Sequence, residues 1–119
     1  MRKLLLLPLA LALIAVMAPA AHAAKTHIVQ VIGNSFQPQE IWIDEGDSVK
    51  WVFRGPGVQR VSKGLTPPQP CRPTAGPDSG LKRPGQTFTL KWPEVDEISV
   101  YHSTVRGKCN MWGRIHLND

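Results

Sequence analysis

Beyond residue 26 this chain is a succession of short β-type runs cut apart by glycine and proline, and no stretch sustains a helical period. Residues 48–53 show the constraint most plainly. Val49, Trp51 and Phe53 alternate with Ser48, Lys50 and Val52, the two-residue period of a strand with one buried face. Residues 86–92 alternate in the same way, and residues 27–32 are rich in β-branched side chains. Residues 40–43, 58–61, 98–101 and 113–117 supply further short strands, separated by turn compositions such as Gly33-Asn34-Ser35 and Asp44-Glu45-Gly46-Asp47. About seven or eight strands around a core of Trp, Phe, Ile and Val predict an all-β chain, a Greek-key β-sandwich. An immunoglobulin-like sandwich would read the same way, so motifs must separate the two.

The first 23 residues do not share that pattern. Met1-Arg2-Lys3 is a basic start, residues 4–17 are an apolar run broken by Pro8, and Ala21-His22-Ala23 is a small-x-small end. This is the composition of a secretory signal peptide, residues 1–23, cut after Ala23. The apolar run is shorter than the ~20 residues a membrane-spanning helix needs. Residues 24–119 then make one small domain, periplasmic or secreted from a bacterium, with nothing left to span a membrane. The formal charge of +5 falls to +3 once Arg2 and Lys3 leave, too mild to argue for nucleic acid.

Cys71 and Cys109 are the two cysteines, and an even count in a small exported domain reads first as a disulfide. Such a bridge closes a long loop and stabilises by roughly 3–4 kcal/mol in the chain-entropy model. The rival reading keeps Cys109 as a free thiolate and metal ligand. Cys71 lies within residues 63–84, which are rich in Pro and Gly and have no period. A loop of that length inside a compact domain is usually functional or pinned.

Three stretches carry a resemblance. Phe36-x-Pro38 is followed by Gly46-Asp47-Ser48-Val49-Lys50-Trp51; Asp78-Ser79-Gly80-Leu81 is followed by Pro84-Gly85-Gln86-Thr87-Phe88; and the chain closes on Tyr101-x-Ser103, Arg106, and Met111-x-Gly113-x-Ile115. In this order they resemble a plastocyanin-like domain of the cupredoxin, or blue copper, family. The resemblance implies a Greek-key sandwich whose copper ligands sit at one end. It also implies that a Cys in the long loop pairs with one just before the Met, as Cys71 and Cys109 would here.

The ligands carry over poorly. Gln59 in Gln59-Arg60-Val61 stands where the family's first His belongs, Ser103 where the Cys belongs, and Arg106 where the second His belongs; only Met111 matches. A type 1 site needs a thiolate and two imidazoles in a plane, with a weak axial thioether. A serine hydroxyl is neutral, a glutamine amide oxygen is a weak donor, and an arginine carries a permanent positive charge with no lone pair to give. No cofactor is therefore expected at these positions, and Met111 reads as a buried gap-filler. Copper enters only under an alternative, a blue-copper electron carrier with an atypical site, such as a soft Cu(I) pair of Cys109 and Met111 in the absence of the disulfide. His27, His102 and His116 lack chelating spacing and read as structural residues.

The resemblance also sorts the charges. The ligand end would carry Arg54, Arg60, Arg106, Lys108 and Arg114, with Arg72, Lys82 and Arg83 added by the long loop. The opposite end would carry Asp44, Glu45, Asp47, Glu94, Asp96, Glu97 and Asp119. A basic face of this kind steers acidic partners. The leading expectation is a binding or accessory protein whose Arg60, Arg106, Lys108, Arg72, Lys82 and Arg83 meet an acidic protein surface or a redox or metal-handling partner. An enzyme is not expected, because His102 and Ser103 are neighbours on a strand and face apart, which rules out a nucleophile–base pair.

Overall fold

The structure is a computed structural model that describes residues 23–64, 75–98, 100–105 and 111–118. Within them eight strands run in order: β1 (Thr26–Ile32), β2 (Ser35–Gln37), β3 (Glu40–Ile43), β4 (Ser48–Gly55), β5 (Ser62–Lys63), β6 (Thr87–Lys91), β7 (Val100–His102) and β8 (Trp112–Leu117). They form two four-stranded sheets, ordered β2-β1-β4-β6 and β3-β8-β7-β5. This is the all-β sandwich that the alternating runs predict. In β4 the alternation is realised residue by residue, with Val49, Trp51 and Phe53 fully buried.

Three local readings differ. The sequence puts the break after the first strand at Gly33-Asn34-Ser35 and expects no further strand before residue 40, but residues 35–37 pair antiparallel with β1 through Gln30↔Gln37, Val31↔Phe36 and Ile32↔Ser35. The expected strand at 58–61 is not one: Gln59 makes an isolated antiparallel bridge to Lys82, and regular pairing starts only at Ser62. Ile98, read as the start of a strand, ends a 3-10 segment, Glu94–Ile98, that buries Val95 and Ile98.

The two sheets meet on an aromatic contact. Tyr101 of β7 packs edge-on against Trp51 of β4 (5.2 Å, 81°) and against Phe36 of β2 (4.7 Å, 76°), and Trp51 stacks on Phe88 of β6 (5.6 Å, 29°). Such pairs add about 0.5–1.5 kcal/mol each beyond the burial of their area. Tyr101 opposes Gly113 in the β7–β8 ladder, and a Cβ built on Gly113 would collide with the Tyr101 ring. The glycine is needed for space, since the ring occupies the volume its side chain would fill.

One end of the sandwich is closed by a buried carboxylate. Asp47, expected among the surface charges of the acidic end, has no exposed surface. Its Oδ1 accepts the Lys25 N–H at 2.9 Å, and its Oδ2 accepts the Asp44 N–H at 3.0 Å and meets His27 Nε2 at 2.8 Å. The turn that delivers it is closed by Asp47 N–H to Asp44 O (3.0 Å), with Gly46 at φ +93°, the value the third position of a type II turn requires. Asp47 thus fastens the start of β1 to the turn before β4, which makes it a packing group rather than a surface charge.

Gly113→Ala is expected to destabilise by about 1–3 kcal/mol through overpacking against Tyr101, read as a shift in the urea midpoint. The double variant Gly113→Ala with Tyr101→Leu should recover part of that loss. A midpoint left unchanged by Gly113→Ala would show that the Tyr101 ring is not held where the structure places it.

Candidate functional site

Three of the four positions matched to copper ligands are described, and all three are buried. Ser103 leaves the end of β7 and Met111 leads into β8; the Ser103 N–H donates to the Met111 carbonyl at 3.0 Å. The Ser103 hydroxyl accepts the Val105 N–H at 3.4 Å. Gln59 comes from the segment before β5, and the β5–β7 pairing, Ser62 opposite His102, brings that segment alongside the one leaving β7. The sandwich therefore gathers the strand ends that the resemblance places at the site.

The chemistry gathered there does not suit copper. Gln59 Nε2 donates to the Gly33 carbonyl at 2.8 Å, which ties the amide to the β1–β2 turn. Its Oε1 is buried and has no hydrogen-bond partner among the described residues. A neutral amide, a hydroxyl and a thioether form a hard and soft mixture with no anionic donor, so the set does not fit the metal of a type 1 centre. Among the described residues no group of three or more His, Cys, Asp or Glu side chains could hold a metal ion. His27 is engaged by Asp47, and His116 meets Glu40 Oε1 at 3.1 Å, so both are half-buried residues with structural partners.

A polar network occupies the surroundings instead, and its hub is Asp78, which the sequence reading missed as a site residue. Arg60 grips Asp78 in bidentate fashion, Nε to Oδ1 at 2.8 Å and Nη2 to Oδ2 at 2.6 Å. The Gly80 N–H donates to Asp78 Oδ1 at 2.7 Å, an Asx-type turn that Asp-Ser-Gly favours. Ser79 adds two bonds: its hydroxyl accepts the Val61 N–H at 2.9 Å, and its N–H donates to the Val61 carbonyl at 2.8 Å. The buried Ser62 hydroxyl lies 3.3 Å from that of Thr104, just beyond Ser103. Burial alone would raise the Asp78 pKa, but the hydrogen bonds from Arg60, Gly80 and Ser62 and the Arg60 charge outweigh it and hold the carboxyl below its usual value. The same hydrogen bond, donated by Arg60 to Asp78, raises the pKa of Arg60.

This changes the standing of Arg60. Its charge is locally matched by Asp78, so it is less available to a partner than its position in the sequence implied. Arg54 and Arg83 are exposed, and Lys82 is half-buried with its backbone paired to Gln59 in both directions at 2.8 Å. Arg114 points to the outer face of its sheet, its guanidinium 5.8 Å from the Trp112 ring centre. Arg72, Arg106 and Lys108, and the pair Cys71 and Cys109, lie outside the described residues.

Comparison with solved structures agrees with this arrangement. An oxidised variant of amicyanin superposes with a TM-score of 0.60 at 17% identity, over 78% of this chain and 82% of that one. A reduced Cu(I) form of another amicyanin variant, at pH 4, gives 0.58 at 17% identity, over 84% and 87%. The copper-containing nitrite reductase of Thermus scotoductus SA-01 gives 0.55 at 18% identity, over 79% of this chain but 22% of that longer one. No protein-family model matches the chain, and no curated protein matches it significantly. At these identities the likeness is one of fold: the chain is a cupredoxin-like sandwich in which the matched ligand positions are degenerate.

Because the folded-state pKa of Asp78 is depressed, the unfolded chain takes up its proton first as pH falls. The stability it supplies is therefore full above the ordinary aspartate range, near pH 4, and is lost as pH drops through the lower folded value. Asp78→Asn should lower the melting temperature at pH 7 and shrink the difference from the parent protein between pH 4 and pH 2. A difference that stays constant over that interval would mean Asp78 is not held as an anion.

Proposed function

We propose that this chain is an exported, single-domain, cupredoxin-like protein that acts by binding a partner rather than by carrying copper. The observation that carries the reading is Gln59: at a matched ligand position, a fully buried amide is hydrogen-bonded away to Gly33. With Ser103 and Met111 it leaves a donor set of low affinity for copper. The partner is an acidic protein surface, of the kind a redox or metal-handling complex would present. It meets the ligand end through Arg83, Lys82, Arg106, Lys108 and Arg72, with Arg60 contributing behind its Asp78 pair. The exposure of Arg54 and Arg83 supports this. No catalytic group is part of the proposal.

Export rests on the signal-like composition of residues 1–23. Among the described residues Lys25 is tied down through its N–H to Asp47 and its carbonyl to the Ser48 N–H at 2.9 Å. Cleavage after Ala23 would leave every described contact in place. No helix among the described residues is long and apolar enough to cross a membrane. In an oxidising compartment Cys71 and Cys109 are proposed to pair, so thiol titration of the unreduced protein is expected to find no free thiol. Two reactive thiols would remove the bridge.

Metal titration tests the central claim. The purified protein is expected to give no intense thiolate-to-copper band with Cu(II) and no stoichiometric retention of Cu(I). The triple variant Gln59→His, Ser103→Cys, Arg106→His should acquire the band, because the strand ends that carry Gln59, Ser103 and Met111 are already brought together. Stoichiometric copper with that band in the unaltered protein would overturn the reading.

A further inference from the structure

The outer face of the β3–β8 pair carries a second feature, on the side of the pleat away from Met111 and Ile115. Burial alternates along both strands, so that Glu40 and Trp42 of β3, and Trp112, Arg114 and His116 of β8, all point outward. The strands are parallel and in register, Glu40 opposite Arg114 and Trp42 opposite His116. Trp42 is 56% exposed although it is the largest side chain of its strand. One face of its ring is held by stacking on His116 at 4.7 Å and 12°, and His116 is in turn fixed by Glu40 Oε1 at 3.1 Å. At the other end Trp112 lies under the Arg114 guanidinium, and the Gln39 amide donates to the Trp112 carbonyl at 3.3 Å.

We infer that this face is a binding rail for an extended, uncharged polysaccharide, with Trp42 and Trp112 as stacking platforms and Gln39, Glu40, Arg114 and His116 as hydrogen-bonding groups between them. The two indoles are four residues apart in register, about 13 Å along the strand direction, a span of several rings of an extended sugar chain. The C–H faces of a sugar ring pack on an indole without needing charge, and hydroxyls accept and donate to amide, carboxylate and imidazole side chains alike. Charge decides among the possible occupants. Glu40 faces Arg114 across the ladder, so the rail has no cationic excess. A nucleic-acid strand would need a basic track along its phosphates, which the described residues of this face do not supply. A second copy of the chain, pairing along β3, would have only the four residues of that strand to add to, far short of a stable interface. A preformed rigid indole with its polar partners already oriented is what lowers the ordering penalty of a neutral ligand. The rail starts beside the ligand end, at Trp112 next to Met111, but the inference does not depend on the acidic-partner reading of that end.

Affinity electrophoresis of the purified protein through gels containing soluble β-1,4-glucan, xylan, mannan or glycol chitin tests it. At least one of these is expected to retard the protein. Trp42→Ala should weaken that retention by about tenfold or more, the scale of one lost stacking platform, with the melting temperature unchanged because the position is exposed. Trp112→Ala should do the same, and Trp112→Phe, which keeps a ring, should restore most of it. Arg83→Glu, on the ligand end, should leave retention intact. No retardation by any of the four glycans, or retardation indifferent to Trp42→Ala, would overturn the inference. So would tighter binding of oligothymidylate than of every glycan, or a Trp42-dependent dimer in light scattering.

Discussion

The structure depends on the Tyr101 ring lying across Gly113. Tyr101 and Gly113 belong to one sheet, and Trp51 and Phe36, which receive the ring edge-on, belong to the other. One side chain therefore fixes the spacing between sheets, the register of β7 against β8, and the demand for a residue without Cβ opposite it. Burial pushes the Tyr101 hydroxyl pKa well up, and neighbouring Trp51 offsets this only in part. Neither the Tyr101 hydroxyl nor the Trp51 indole N–H reaches hydrogen-bond geometry with another described group. The contact holds by shape and dispersion rather than by polar pairing. That explains why the Tyr, Gly and Ile of the closing segment keep their pattern while the ligand positions do not: Tyr101, Gly113 and Ile115 are core residues, and their role never required a metal.

A metal centre at a strand end would also hold loops together, and here hydrogen bonds do so. Asp78 draws Arg60, Ser62 and Gly80 onto one carboxylate, and Ser62 passes the connection to Thr104 beside Ser103. At the far end Asp47 does the equivalent for β1 and the turn before β4. A carboxylate drawn in from solvent stabilises only when its charge is matched by donors, as it is for the fully buried Asp47 and the half-buried Asp78. Gln59 is the exception. Its Oε1 has no donor among the described residues, and a buried acceptor left unpaired costs about 1–3 kcal/mol. Among the described residues Gln59 Oε1 is thus an unmet acceptor, which suits a water or another hydrogen-bond donor far better than a cation wanting thiolate.

Much of the fold was legible because it rests on local pattern. The alternation of Val49, Trp51 and Phe53 has one reading, and three motifs in sequence order separated the cupredoxin-like sandwich from its immunoglobulin-like rival. What escaped was set by pairing rather than by pattern. Residues 35–37 are too short to show alternation and become a strand because the Gly33-Asn34 turn folds them back onto β1. Residues 58–61 look like a strand and fail to be one because their partner, at Lys82, meets them at a single bridge. Carboxylates were the least legible of all. Counting Asp47 with the surface acids, and leaving Asp78 out of the site, both treated charge as a property of composition. The Asx-turn composition Asp-Ser-Gly at 78–80 was the signal available for the second, since a carboxylate that accepts its own backbone is already half-placed to receive an arginine.

The Arg60–Asp78 pair also sharpens what the basic end can do. Paired charges in contact largely cancel beyond a few ångströms, and in physiological salt the remainder is screened within about 8 Å. Arg60 therefore adds little to a long-range field, and steering falls to cations without such a partner in contact. Among the described residues Arg54 and Arg83 are the exposed ones at that end. If the proposed acidic partner docks there, it would feel their sum at a distance and, once partly desolvated, compete with Asp78 for the Arg60 fork, whose planar geometry suits any carboxylate. The ligand end would then recognise acid twice over, first by field and then by exchange. In that scheme Arg60 governs how long the partner stays rather than how fast it arrives.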